Sequence, residues 1–161
     1  DRLMLHIRTR HGNSMIPQKE TLRTATKLLD EPCYVGFLGD QNPDPQGKYY
    51  FTPFFGRLVP THLGIATIAL RLKAPLYYFD LRRVRRGYYD LHLVKLQDAE
   101  ALPFSKPNIY ATTDRHVEYL ESVIRDNPPY WLWSHRRWKR TVREHDVISS
   151  KWEGKEVTPS E

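Results

Sequence analysis

The sequence holds a single cysteine, Cys33, so no disulfide framework can form within the chain and most cysteine zinc sites are excluded. Long apolar runs are missing too. The longest, Leu63 to Leu70, falls far short of the roughly 18 residues that read as a spanning helix. No HExxH, CxxC, GxSxG or Walker-type phosphate loop occurs, and no internal repeat is present. The first residue is Asp1 rather than Met, with no signal peptide before it, which reads as an interior or C-terminal piece of a longer protein. What is present is globular in balance: 40% hydrophobic and 27% charged residues over 161 positions, the size of one domain and too apolar for disorder throughout.

The charge is uneven. Lysine and arginine number 25 against 19 acidic residues, a net +6. One cluster is Arg82, Arg83, Arg85 and Arg86, flanked by Tyr77, Tyr78, Phe79, Tyr88 and Tyr89; another is Arg136, Arg137, Lys139, Arg140 and Arg143, flanked by Trp131, Trp133 and Trp138. Cations interleaved with aromatic rings suit nucleic-acid phosphates, anionic lipid headgroups or an acidic carrier protein. The plainer reading is a solvated basic face over core aromatics.

Along the chain, residues 19–30 read as a helix on the spacing of Leu22, Ala25, Leu28 and Leu29. Cys33 to Leu38 reads as a short buried strand, with Cys33 a small core residue. Gly39 to Tyr49, dense in Gly, Pro, Asn and Asp, reads as a loop. Thr61 is placed to cap a helix running to Leu72. Pro75–Leu81 and Gly87–Leu96 read as two strands joined by a turn at Arg85-Arg86-Gly87, the second half-buried with Tyr89, Leu91 and Leu93 on its inner side. Ile109 to Asp126 reads as a helix with Thr113, Val117, Leu120 and Ile124 on one stripe, stopped by Asn127-Pro128-Pro129. The alternation predicts an α/β fold: a mainly parallel sheet flanked by helices, with one antiparallel hairpin and the loop Gly39–Tyr49 at a strand's carboxyl end. Residues 1–142 are expected to form one domain and 143–161 a polar, poorly ordered tail.

Candidate chemistry is sparse. Among the seven histidines, only His116 has an acidic residue, Glu121, five positions later. Within a helix five positions turn about 500°, leaving the side chains roughly 140° apart and unable to hydrogen-bond, so the pair reads as chance on a surface helix. Asp40 follows an apolar run and opens a Gly/Pro-rich loop, where a carboxylate can orient a basic group or cap a turn. Arg10 is a basic group ahead of the 19–30 helix.

Four segments taken in order, IRTRHGNSMIP (Ile7–Pro17), YVGFLGDQNP (Tyr34–Pro43), FTPFFGRLVPTHLGIATIA (Phe51–Ala69) and LESVIRDNPPYWLWSHRRWKR (Leu120–Arg140), resemble the C-terminal part of the bacterial lipid A biosynthesis late acyltransferases, within the lysophospholipid acyltransferase superfamily. RRVRRGYYDL and Gln41 suggest a Bacteroidetes-like branch. The resemblance implies a glycerolipid-acyltransferase-like fold and transfer of an acyl chain from an acyl carrier protein or coenzyme A thioester to a hydroxyl of a phosphorylated glycolipid, without metal or redox cofactor. It implies an anionic membrane surface as partner, at the cytoplasmic face of the bacterial inner membrane, and no nucleic acid. By the same carry-over Arg10 and Asp40 are catalytic candidates expected to line one trough, and Arg136, Arg137 and Lys139 are candidates for binding substrate phosphate; Thr61 and Gly64 are structural. The family's H-x4-D/E dyad is expected upstream of residue 1, so residues 1–161 alone are expected to transfer no acyl chain. Two alternatives stand beside this: an acyltransferase acting on another lysolipid or aminolipid, and a basic nucleic-acid-binding module.

Overall fold

The structure, a computed structural model, describes residues 2–30, 32–98 and 102–153. The chain divides into two compact units, Asp1–Gly36 and Phe37–Glu161.

The first unit contains helix α1, Arg2–Thr9, a 3-10 turn at Gln18–Glu20 and helix α2, Thr21–Lys27. α1 was not expected from the sequence; it buries none of its residues, and Leu3, Met4, Leu5 and Ile7 are exposed. α2 lies within the helix expected over 19–30 and buries Ala25.

The second unit is built on two hairpins and a long helix. β1 (Tyr49–Phe54) pairs antiparallel with β2 (Arg57–His62), Tyr50 opposite Thr61 and Phe51 opposite Pro60. A two-residue loop joins them, and both its residues have positive φ, Phe55 at 51° and Gly56 at 71°. That is the conformation a type I′ turn needs to match the twist of the strands. The bulky Phe55 is held in it because its N–H donates to Glu121 Oε2 at 2.7 Å. Helix α3, Gly64–Arg71, follows and buries Ala66, Ala69 and Leu70. β3 (Leu76–Arg85) pairs antiparallel with β4 (Tyr88–Gln97), turning at Arg86-Gly87 as expected. Helix α4, Lys106–Asp126, starts at Ser105, whose side chain accepts from the Asn108 N–H, and ends before Asn127. Its buried stripe is the expected one, with Val117, Leu120 and Ile124 packed on Phe54 and Val59 of the first hairpin. Asp114 of α4 joins three segments: Tyr50 OH and Thr52 Oγ1 donate to its Oδ1, and Ser149 Oγ donates to Oδ2 at 2.9 Å.

The expected parallel sheet is contradicted. The described strands form two separate two-stranded antiparallel sheets, and the one parallel feature among the described residues is an isolated bridge between Phe51 and Ile148. Alternating helix-like and strand-like runs suggested crossovers, but tight turns close each pair of neighbouring strands into a hairpin. Cys33–Leu38 forms no strand, and Cys33, Tyr34, Phe37 and Leu38 are exposed, so Cys33 is no core residue. Thr61 lies within β2, and the helix expected from it begins three residues later. The second hairpin is also less buried than its alternation implied: Tyr89, Leu91 and Leu93 are exposed. Of the tail expected from residue 143, the part to Glu153 includes the Ile148 bridge and buried Ser149, while 154–161 lie outside the described residues. Among the described residues, no helix is long and apolar enough to cross a membrane.

Candidate functional site

After α4 a 3-10 turn, Pro128–Tyr130, leads into Trp131–Arg140, which crosses the first hairpin. Trp131 and Trp138 pack against Phe54. That leaves the four basic residues between Arg136 and Arg140 with different fates: Arg136 and Lys139 are exposed, Arg140 is half-buried, and Arg137 is wholly buried.

Arg137 fastens the loop that carries Asp40. Its Nη1 donates to Gln41 O at 3.2 Å, Asn42 Oδ1 at 2.9 Å and Pro60 O at 2.8 Å, and its Nη2 donates to Thr61 Oγ1 at 3.3 Å. Neighbouring bonds strengthen the clasp. Asn42 Nδ2 donates to Arg136 O at 2.8 Å, Asn42 N–H to His135 Nε2 at 3.3 Å, and Arg140 Nη2 to Pro43 O at 2.5 Å. Burial pulls the Arg137 pKa down to about 10, against the favourable charge of Asp40. A buried cation is tolerable only with such a set of acceptors and a nearby carboxylate.

Asp40 itself is half-buried, at the bend that opens the loop. Beside it stands His116 of α4. Gly39 is pressed against that imidazole: a Cβ there would come within 2.8 Å of both His116 Cε1 and Ile65 Cδ1, so a larger residue would have to displace these side chains. The Tyr78 ring of β3 lies 6.0 Å from the His116 ring. Burial first, then the Arg137 charge, lowers the His116 pKa to about 4 despite Asp40, so the imidazole is neutral at pH 7. His62 is shifted downward by burial and by Arg137 and Arg140. Burial and the carboxylates of Asp40 and Asp80 push Tyr78 up to about 12, leaving its hydroxyl protonated. Asp40 is thus set among neutral groups, with the fixed charge of Arg137 nearby. Such a carboxylate can hold a basic or hydroxyl group of a bound molecule in a fixed orientation.

On the far part of the same loop, Asn42 and Pro43 line an open cleft of about 610 Å³ that Asp40 itself does not line. Tyr49, Phe51 and Pro43 line its apolar side, and His135, Arg136, Lys139, Arg140 and Arg143 its basic side, with Asp146 among them. Arg140 Nη1 is buried there without a hydrogen-bond acceptor among the described residues. The cleft thus sets cationic side chains opposite an apolar wall.

The structure therefore brings together Asp40, Arg136, Lys139 and the anchor Arg137 within the second unit. Arg10 belongs to the first unit, where it is exposed just beyond α1 and its Nε donates to His11 Nε2 at 2.9 Å. His116 and Glu121 are not partners, as the helix geometry required: the Glu121 carboxylate takes the Phe55 N–H and the Arg125 guanidinium. Yet His116 is no surface residue. The signal that marks it is its place one residue before Val117 on the edge of the buried stripe, which a search for dyads passes over.

A sequence model of bacterial lipid A biosynthesis acyltransferases matches residues 1–140. The chain belongs to this family. The match takes in Arg10, Asp40 and the Trp131–Arg140 crossing, so the clasp around Arg137 lies inside the family region and the segment that bridges Phe51 through Ile148 lies beyond it. No curated protein matches the chain.

Proposed function

We propose that this acyltransferase chain serves transfer of a fatty acyl group from an acyl thioester, on acyl carrier protein or coenzyme A, to a hydroxyl of a phosphorylated lipid A precursor at an anionic membrane surface, and that the family branch is Bacteroidetes-like. In that reaction the acceptor oxygen forms a bond to the thioester carbonyl carbon, the carbon–sulfur bond breaks, and the hydroxyl proton ends on the departing thiol. The developing oxyanion requires cationic or hydrogen-bonding groups.

The observation that carries the reading is the cleft lined by Asn42 and Pro43 of the loop that Asp40 opens. Arg136, Lys139, Arg140 and Arg143 surround a space with an apolar wall, the pairing that a phosphate on a lipid-bearing sugar calls for. Arg136 and Lys139 take the phosphate role assigned to them by family resemblance; Arg137 takes a positioning role instead, because it is wholly buried and both its Nη groups are spent inside the protein. Asp40 orients the acceptor, and Arg10 is the second catalytic candidate, supported by its place in the family's arginine block. We assign His116 no proton transfer: with a pKa near 4 it is badly matched to drawing a proton from an alcohol at neutral pH.

Binding tests the cleft without requiring turnover. In mixed detergent micelles, Arg136→Glu with Lys139→Glu is expected to weaken binding of a phosphorylated lipid A precursor by about a hundredfold, roughly tenfold for each charge-assisted hydrogen bond removed. A precursor stripped of its phosphates is expected to bind weakly and equally to both proteins. Equal affinity of the unaltered protein for the two precursors would overturn the phosphate assignment, and preferential binding of a neutral lysolipid would favour another acceptor class.

A further inference from the structure

Between Asp80 and Arg83 the two faces of the β3–β4 hairpin carry different side chains. Paired positions Asp80 with His92 and Arg82 with Asp90 share one face, which meets α4 at Asp80: that residue is buried, forms an ion pair with Arg82 at 2.7 Å and accepts from Tyr119 OH at 3.4 Å, while Arg82, Asp90 and His92 are exposed. The other face carries the pairs Leu81 with Leu91 and Arg83 with Tyr89, and beside them Leu93 and Lys95. Leu81 is 62% exposed, Leu91 55%, Leu93 49% and Tyr89 56%. No acidic residue occupies a paired position on this outer face. At its tip Arg85 stacks on Tyr88 with its guanidinium 3.8 Å from the ring centre, and Arg86 extends the charge.

We propose that the outer face of β3–β4 docks onto an anionic lipid bilayer, the apolar centre entering the acyl–headgroup boundary and Arg83, Arg85 and Arg86 reaching lipid phosphates. A contiguous apolar surface rimmed by polar groups marks an interaction site. Here the rim determines which. Tyrosine rings sit well at headgroup depth. Long arginine side chains keep their charge in the headgroup layer while their stems lie on apolar surface. Asp80 turns toward α4, and the paired positions of the outer face carry Arg83 and Lys95 with no acid, which is complementary to an anionic membrane. A second copy of the same face would set Arg83, Arg85 and Arg86 against like charge, the carboxylate at its base, Asp98, being already paired with Lys95. The proposal rests on the membrane-surface reading above and names the element that carries it.

Flotation with vesicles tests it. The unaltered protein should bind vesicles of phosphatidylglycerol in phosphatidylcholine and bind pure phosphatidylcholine poorly. Leu81→Asp with Leu91→Asp should lower bound protein about tenfold or more. Arg85→Glu with Arg86→Glu should remove the preference for phosphatidylglycerol, each arginine being worth about fivefold in affinity. Because the aspartates can disturb the hairpin, a nitroxide at Leu91→Cys in a Cys33→Ser background gives a second reading: on vesicles it should become accessible to oxygen and shielded from a water-soluble nickel chelate, while one at His145→Cys does not change. Binding that ignores phosphatidylglycerol, a Leu91 label that stays in water, or a dimer in sedimentation that the aspartates abolish would each overturn the proposal. These vesicles contain neither lipid A precursor nor acyl donor, so the result is separate from that of the acyl-transfer reading.

Discussion

The two hairpins have the same antiparallel pairing but opposite surroundings. In β1–β2, Tyr50, Phe51, Phe54 and Val59 are buried, and the hairpin is held from three sides: by α4 through Asp114, by the Ile148 bridge, and by Arg137 through Pro60 and Thr61. In β3–β4, α4 covers only the base of one face, at Tyr78 and Asp80, and both faces are exposed from Leu81 to the tip. A hairpin alone in water is marginal, so what each one packs against sets its stability. The comparison separates two jobs. The first hairpin holds Asp40 in place through the residues clasped to it; the second is available to meet something outside.

Arg137→Ala should break that contrast most. It removes the donors that join Gln41 and Asn42 to Pro60 and Thr61 and leaves four acceptors and the Asp40 charge uncompensated. Loss of one partner from a buried charged network costs about 3–5 kcal/mol, to be read in urea unfolding. Arg137→Lys should recover little, since an ammonium cannot span acceptors set for a guanidinium fork. Native-state hydrogen exchange should show amides of β1–β2 losing protection while those of β3–β4 change little. Equal loss in both hairpins would mean that they unfold as one unit.

His116 stands where the two hairpins meet α4, near Tyr78 of β3 and near Asp40 and Arg137 of the clasp. Its folded pKa, about 4, lies below the ordinary 6.5 of the unfolded chain. The unfolded state therefore binds more protons between these values. The stability that a neutral His116 contributes is complete above about pH 6.5 and is lost as the pH falls toward 4, by at most about 3 kcal/mol. His62, also shifted downward, adds in the same direction. His116→Gln should flatten the difference in stability between pH 7 and pH 4.5. In Arg137→Ala the repelling cation is gone, so the His116 imidazole should titrate higher by NMR. An unchanged titration would place Arg137 outside the electrostatics of the site.

Local elements were legible where the pattern and its partner lie close in the chain. The stripe Val117, Leu120, Ile124 predicted α4, and Arg86-Gly87 predicted the second turn, because helical periodicity and turn chemistry are local. The first hairpin was missed because Phe55-Gly56 hides its turn: a bulky residue at positive φ is a poor turn signal until the Glu121 acceptor is known, 66 positions away. The sheet type was misread for the same reason, since pairing is a tertiary choice. At the site, the exposure of Arg136 and Lys139 fits what their residue types suggest, but the inward turn of Arg137 was not legible. Adjacent arginines look identical in sequence, and only the acceptors of the Gln41–Asn42 loop, more than ninety positions upstream, distinguish them.

The smallest effect sharpens the comparison at the turns themselves. Gly56 and Gly87 have similar positive φ, 71° and 79°, and a Cβ at either would meet nothing within 4 Å. Alanine at each place thus carries the same intrinsic conformational cost, about 1 kcal/mol, with no steric addition. The surroundings differ. The Gly56 turn is tied to α4 by the Phe55–Glu121 bond and cannot relax alone, so Gly56→Ala should lower global stability by about that full amount. The Gly87 turn is an exposed tip that can fray without disturbing the core, so Gly87→Ala should cost less than about 0.5 kcal/mol in global unfolding and appear instead as faster hydrogen exchange at Arg85–Tyr89. Asparagine, which tolerates left-handed backbone, should recover part of the loss at Gly56. Equal global losses at the two turns would show that the second hairpin unfolds only with the core, and would remove the independence on which the contrast depends.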